Sequence, residues 1–583
     1  MVDAEATKPA FELVAAIDRR HRIVAGERFQ VADANGVWAS PTSALLIATG
    51  IEEQPVQPRI PPLRVAQGAN VPPGADEAVL DSVFGGGGIA EHAIGDRVEA
   101  IDRRAGKALE RRVVTAPCPF DEIVSDHAAP SPSGRESAVR GVWRRAGSNP
   151  STIESACTIA AMFQRTALAE GPRVISTRLA GARSVSAAVF VRAGSRLESR
   201  DQAGMAHFLE HLTFKGTAAY PSTRSLSEAI EGVGGSFNAA TDREATIYWV
   251  RVPRRETERA LTVLGELVCR PTLDEAEIDR EREVIVEEIR GYLDDPAEYT
   301  QILFQQAMFG SGALGREICG EESDVRGLPA AGIRAFWSAT YRPANAVVAI
   351  AGDLGHDEAV ELTSTSFGRG NGVVHGFEPA PALPAGERVL TGRRDTTQAQ
   401  LCLGVPALRR DHPDSWALSV LNALLGDGMS SRLFLALVDR DALAYDVASG
   451  IVEYADAGAL QITAGVDPGR VGKALDGILR ELASLRDTPV EDDEVAKAKA
   501  YISGGLELRM EETRHLAAWI GGQEALHDRV LTLDEALAAI SRVTSADIAR
   551  LSGELFREDR LRLAVVAPGR SLRGLDGHLR LAA

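Results

Sequence analysis

His207-Phe208-Leu209-Glu210-His211 is the stretch on which the reading of this chain turns. On an α-helix, residues three and four apart share a face, so His207 and His211 can aim two imidazoles at one point with Glu210 beside them. Imidazole pairs at that spacing suit zinc, and a catalytic zinc site adds a third protein ligand while keeping one position for water. A free carboxylate beside that water can serve as general base, so the arrangement is one for hydrolysis. Taken alone, the string also fits a solvated helix face, and its neighbours decide between the two.

Working outward, residues 187–198 form an apolar, strand-like run entering a glycine turn. Gly204-Met205-Ala206 leads into the histidine motif, and Leu212-Thr213-Phe214-Lys215-Gly216-Thr217 follows it. A helix pattern from Leu226 to Val233 stops at Gly234-Gly235. Ser236-Phe237-Asn238-Ala239-Ala240-Thr241 comes next, then a strand-like run from Ala245 to Val252, rich in β-branched and aromatic residues. A second helix pattern starts at Asp274, where Asp274 with Glu277 gives an N-terminal capping signature. It continues through Asp279-Arg280-Glu281-Arg282-Glu283-Val284-Ile285-Val286-Glu287-Glu288-Ile289. Such Glu/Arg alternation also suits a salt-bridged, solvated helix. Periodicity leaves the adjacent Glu287 and Glu288 both open as a third ligand.

Motif, spacing and flanks together closely resemble the inverted-zinc peptidases, the family of pitrilysin, insulin-degrading enzyme and the mitochondrial processing peptidase. The likeness spans roughly residues 170–583 and is nearest to the short, processing-peptidase-like branch. The resemblance implies an α+β fold: two homologous α/β-sandwich halves of the metallohydrolase-like type enclosing a chamber, with the metal motif in the first half only. It implies one Zn2+ per chain held by His207, His211 and Glu288, with Glu210 as general base on the zinc-bound water. It makes Glu281, seven residues before Glu288, the carboxylate that orients a ligating imidazole. Residues 236–242 become an exposed edge strand that pairs with an extended peptide substrate. Asn238 is then expected to touch substrate, although it reads equally as a strand-end turn residue. The implied activity is a zinc-dependent endopeptidase acting on extended peptides or small unfolded proteins. The alternative is a non-catalytic structural or chaperone-like subunit of the same fold, which the filled motif positions disfavour.

Domain organisation follows from the same comparison. The metal-bearing half is expected over residues 166–368 and the second half over 387–583. The Gly/Pro-rich connector between them, 369–386, contains Pro379, Pro381 and Pro384. The second half restarts with a strand pattern at Ala399–Val405, a helix from Ser415 through Leu425, a glycine break and a strand pair around 445–465. That repeats the strand, helix, glycine turn, strand order of the first. Gly426-Asp427-Gly428-Met429-Ser430-Ser431-Arg432-Leu433-Phe434 is similar to the family's Gly-rich segment, and Tyr445 to its substrate-binding tyrosine. Most members carry an arginine seven residues before that tyrosine; here the position is Val438, and Arg440 lies on a different helix face. Loss of a cation that stabilises developing charge should weaken stand-alone catalysis. The resemblance therefore implies a homodimer, or a heterodimer with a sister chain carrying the Arg/Tyr pair. A divergent alignment around Val438 is the other reading.

With 583 residues the chain is too long for one ordinary domain. A hydrophobic fraction of 45% is normal for a globular protein, so core formation is not the limitation. The net charge of −18 argues against nucleic acid or an anionic membrane as the main partner. Cys118, Cys157, Cys269, Cys319 and Cys402 are scattered and odd in number, as expected of thiols in a reducing compartment. The N-terminal residues lack a basic stretch followed by an apolar core, and no run of 18 apolar residues occurs, so a cytoplasmic protein is expected. Residues 1–127 are read as a mixed, β-rich extension. Its segment Pro61–Leu80 looks like part of molybdopterin molybdenumtransferase-type proteins without their later catalytic domain, and is expected to be non-catalytic. Gly85–Gly88 lacks the Lys-Ser/Thr of a phosphate-binding loop. Residues 128–165 have linker composition.

Overall fold

The computed structural model describes residues 163–370, 376–527 and 529–581. The molybdopterin-type extension, most of the expected 128–165 linker and residues 371–375 of the connector lie outside the described residues.

Strands β1 Gln164–Ala167, β2 Arg173–Arg178, β3 Ser184–Val191, β4 Ser236–Thr241, β5 Thr246–Pro253 and β6 Ala346–Gly352 make a six-stranded sheet ordered β1-β2-β6-β3-β5-β4. The β2–β6 pair is parallel and the other neighbours are antiparallel. Helices α1 Met205–Thr213, α2 Thr223–Glu231, α3 Thr257–Cys269, α4 Glu275–Asp294, α5 Pro296–Phe309, α6 Glu322–Gly327, α7 Ala330–Thr340 and α8 His356–Ser366 complete this half. Strands β3 and β6 are almost wholly buried, which is why they read as apolar runs without alternation. On one face Val189, Val191, Tyr248 and Val348 pack with Phe208 and Leu209 of α1, Leu264 of α3 and Ile285 of α4. The metal motif is thus pinned to the sheet by the two apolar residues inside it.

The second sheet contains β7 Val389–Arg393, β8 Ala399–Pro406, β9 Ala444–Glu453, β10 Gly458–Val466 and β11 Arg562–Ala567, ordered β7-β11-β8-β10-β9. Apart from β1, the two sheets follow one plan. The first strand lies parallel to the last, and the antiparallel remainder ends on an edge strand, β4 in one sheet and β9 in the other. The helices here are α9 Ser415–Leu425, α10 Val471–Asp487, α11 Asp492–Arg509, α12 Thr513–Leu526, α13 Leu533–Ser541 and α14 Ser545–Leu555. Residues Phe434–Arg440 form a π-helix, not the α-helix assumed from sequence.

Each sheet has its second face covered by a helix from the other half. Trp519 and Ile520 of α12 pack with Ile175, Phe190, Val347 and Ala349 of the first sheet. Leu303, Phe304 and Met308 of α5 pack with Cys402, Ala564 and Val566 of the second. The approach of α12 is close enough that a Cβ on Gly521 would lie 2.3 Å from the Phe190 ring and 2.5 Å from Ala349 Cβ. Among the described residues, no helix is long and apolar enough to cross a membrane.

Candidate active site

Helix α1 begins after Gly204, whose φ of 87° is left-handed and free of strain only for glycine. The orphan N–H groups at its start are taken by Glu198: Oε1 accepts from Ala206 N–H at 2.6 Å and Oε2 from Gly204 N–H at 2.9 Å. Burial pushes the Glu198 carboxyl up to about 8, against the opposing pull of those N–H bonds and of Arg316. Helix α4 starts at Asp274, whose carboxylate accepts from Ala276 and Glu277 N–H. Glu277 does not return a bond to the cap and pairs instead with Arg280, so only half of the expected capping signature forms.

These two helices bring the predicted ligands together. His207 Nε2 and His211 Nε2 are 3.2 Å apart. Glu288 Oε1 lies 3.8 Å from the first and Oε2 3.4 Å from the second. Donor atoms around tetrahedral zinc are separated by about 3.3 Å, given ligand distances near 2.0–2.1 Å. The residues present therefore fit a zinc ion, and His207, His211 and Glu288 are the metal-competent cluster found among the described residues. Glu287 faces away: its side chain is 69% exposed and pairs with Arg290 at 2.5 Å.

Partners behind the cluster fix its orientation. Glu281 Oε1 is 2.8 Å from His211 Nδ1, which leaves Nε2 to face the metal position. Its other oxygen accepts from Lys215 Nζ at 2.7 Å. Burial disfavours a charged His211, yet the bond to Glu281 and the nearby Glu288 and Glu210 carboxylates hold its pKa above the ordinary value. Burial pushes His207 the other way, toward the neutral form a ligand requires. Burial opposes ionisation of Glu288, but the two imidazoles and the Tyr292 hydroxyl hold its pKa below the ordinary carboxylate value.

Three contacts escaped the sequence reading. Tyr292 Oη donates to Glu288 Oε1 at 2.5 Å, and Thr241 Oγ1 donates to Glu210 Oε2 at 2.6 Å. The thiol of buried Cys319 sits 3.8 Å from His207 Nε2. Tyr292 lies four residues after Glu288 on α4, so helical periodicity carried a signal for it. Thr241 and Cys319 had none.

Asn238 lies in edge strand β4, opposite Trp249, with its Oδ1 accepting from Ala239 N–H at 2.9 Å. Tyr445 is in β9 of the other sheet and 53% exposed. Val438 packs against the core of the second half from within the π-helix. Arg440 is paired with Asp441 at 2.9 Å.

Residues 173–322 match the sequence family Insulinase (Peptidase family M16), and residues 328–502 match the Peptidase M16 inactive domain. The chain is 35% identical over 413 residues to an uncharacterized zinc protease of Streptomyces coelicolor, covering 70% of this chain and 89% of the relative. It is 32% identical over 409 residues to the uncharacterized zinc protease YmxG of Bacillus subtilis, covering 70% of this chain and 98% of the relative. The crystal structure of a protease from Helicobacter pylori superposes with a TM-score of 0.65 at 24% identity, over 70% of this chain and 99% of that one. That likeness speaks to the fold.

Proposed function

Since this chain belongs to the insulinase (M16) family of zinc peptidases, we propose that it is an endopeptidase cleaving extended peptides or small unfolded proteins. The observation that carries this reading is the convergence of His207, His211 and Glu288 donor atoms within 4.8 Å of one another, with Glu210 on the same helix. Zinc bound there, one ion per chain, would polarise the scissile carbonyl and lower the pKa of water.

The chain's own residues supply the rest. Glu210 takes the proton of the attacking water and delivers it to the leaving amine. Glu281 holds the His211 ring, so the ligand set is in place before substrate arrives. Strand β4 is an edge strand, and an extended peptide adding to it would be held through backbone hydrogen bonds, with little demand on its side chains. Asn238 on β4 and Tyr445 on β9 are the proposed substrate contacts. No guanidinium stands at position 438, which favours a working pair in which this chain carries the metal and its mate the Arg/Tyr pair. Buried Cys319 and half-buried Cys269 are free thiols, in keeping with a cytoplasmic setting.

The test is cleavage of a mixed peptide pool by the purified, zinc-loaded chain, with Glu210→Gln as blank. Activity should fall at least about a hundredfold in the blank while bound zinc is retained. Equal cleavage by both proteins would sink the peptidase reading. Turnover by this chain alone at the rates of complete homologues would sink the pairing.

A further inference from the structure

We infer that Thr241 and Glu244 are positioning residues for Glu210, and that the second half of the chain reaches the base through them. The inference rests on the peptidase reading above. Thr241, 4% exposed, closes β4 and donates to Glu210 Oε2. The turn that follows is closed by Asp242 N–H on the Ala245 carbonyl at 2.8 Å. It is seated on the loop after β3, where Ser195 and Arg196 N–H donate to the Asp242 and Arg243 carbonyls at 3.2 and 2.8 Å. A Cβ on Gly194 would lie 2.1 Å from the Asp242 carbonyl oxygen, so this seat requires glycine.

Glu244 anchors the end of the turn. Only 1% exposed, it accepts from Arg196 Nη1 at 2.5 Å, from Arg410 Nη2 at 2.7 Å and from Ala455 N–H at 3.1 Å. Arg410 and Ala455 flank β8 and β9 of the second half. The remaining terminal nitrogen of Arg196 reaches Asp456 Oδ1, also in the second half, at 2.6 Å. Arg410 donates further to the Glu453 and Leu526 carbonyls.

Buried ion clusters of this kind add little net stability over well-packed apolar residues, because desolvation offsets attraction; what they fix is geometry. Here the geometry fixed is a turn whose first neighbour holds the base. With the Thr241 hydroxyl in place, one Glu210 oxygen is tied and the other is left for the water. Without it the carboxylate is free to rotate, and misplacement by about 1 Å is enough to cost much of the rate. The half without the metal motif would thus act on the chemistry through the placement of the base, in addition to the substrate contact proposed for Tyr445.

Two measurements on the full zinc-loaded chain test this. In hydrogen exchange, Glu244→Gln should speed exchange across residues 236–246 and leave 275–294 unchanged; unaltered exchange in 236–246 overturns the inference. In kinetics, Thr241→Val should lower kcat about tenfold to a hundredfold, part of what a general base contributes, with KM and bound zinc unchanged. Thr241→Ser, which keeps the hydroxyl, should restore kcat to within about threefold. Glu244→Gln should lower kcat in the native background but add little to Thr241→Val, as expected of residues acting in series. Equal fractional losses in both backgrounds overturn it. If Glu244→Gln does not fold, Asp456→Asn, on the partly exposed side of the cluster, runs the same cycle and exchange measurement. An inactive Glu210→Gln beside a Thr241→Val of native kcat removes this inference and leaves the peptidase reading standing; a fully active Glu210→Gln removes the latter.

Discussion

Glu287 and Glu288 are neighbours in sequence with opposite surroundings, because successive helix positions are about 100° apart and only one faces α1. Sequence periodicity alone could not separate them, and the resemblance could. The structure adds Tyr292, whose hydroxyl is bonded to a Glu288 oxygen and so restricts that carboxylate to the rotamer facing the imidazoles. Tyr292→Phe keeps the ring and removes the bond. Zinc affinity, measured by competition with a fluorescent chelator, should fall about tenfold or more, as is usual when a partner behind a ligand is lost. An unchanged affinity would mean that Glu288 is oriented by packing alone. Glu281 came from the resemblance, with its place seven residues before Glu288. Lys215 beyond it, and Thr241 beside the base, were not found, since a lone lysine or threonine in a loop or strand end carries no periodic signature.

At the scale of elements, Glu198 holds the helix that carries the motif, and this has a pH consequence. Its folded pKa of about 8 stands above the ordinary 4.5, so the folded state binds the proton more tightly. The stabilisation is full below about 4.5 and is lost as pH rises through about 8, by at most about 1.4 kcal/mol per pH unit. Urea unfolding at pH 5 and pH 8 should show a smaller drop in stability for Glu198→Gln than for the native chain. The same drop in both would exclude Glu198 as its source. Elements with strong local signals were legible: the Ser415–Leu425 helix lies where its apolar spacing placed it, and the strand pair near 445–465 is β9 and β10. Helix α2, read from Leu226, starts at Thr223, because Ser222 and Ser225 cap it reciprocally before any apolar residue occurs. The π-helix of Phe434–Arg440 was out of reach, since its extra residue per turn leaves no mark on composition. Glu198 was equally hidden, being a single acid in a loop whose role depends on a helix end folding back onto it.

For the whole molecule, the exchange of cover between halves is the dominant feature, and sequence could not show it because α5 and α12 look like any helices buried on one side. Gly521 tests it. Gly→Ala in a helix interior ordinarily stabilises by about 1 kcal/mol. Here the added methyl meets Phe190 and Ala349, and the sign should reverse, with a loss of about 1–3 kcal/mol in chemical denaturation. A stabilised Gly521→Ala would show that α12 sits less closely on the first sheet than described. The same exchange has a consequence in time. Strand β6 completes the first sheet at Gly352, yet the helix that covers its far face begins only at Thr513. At ordinary elongation rates the ribosome needs on the order of ten seconds to cross that interval. Throughout it the helix that covers Ile175, Phe190, Val347 and Ala349 among the described residues is not yet made, so each new copy leaves the exit tunnel with this apolar face waiting for roughly the last eighth of the chain.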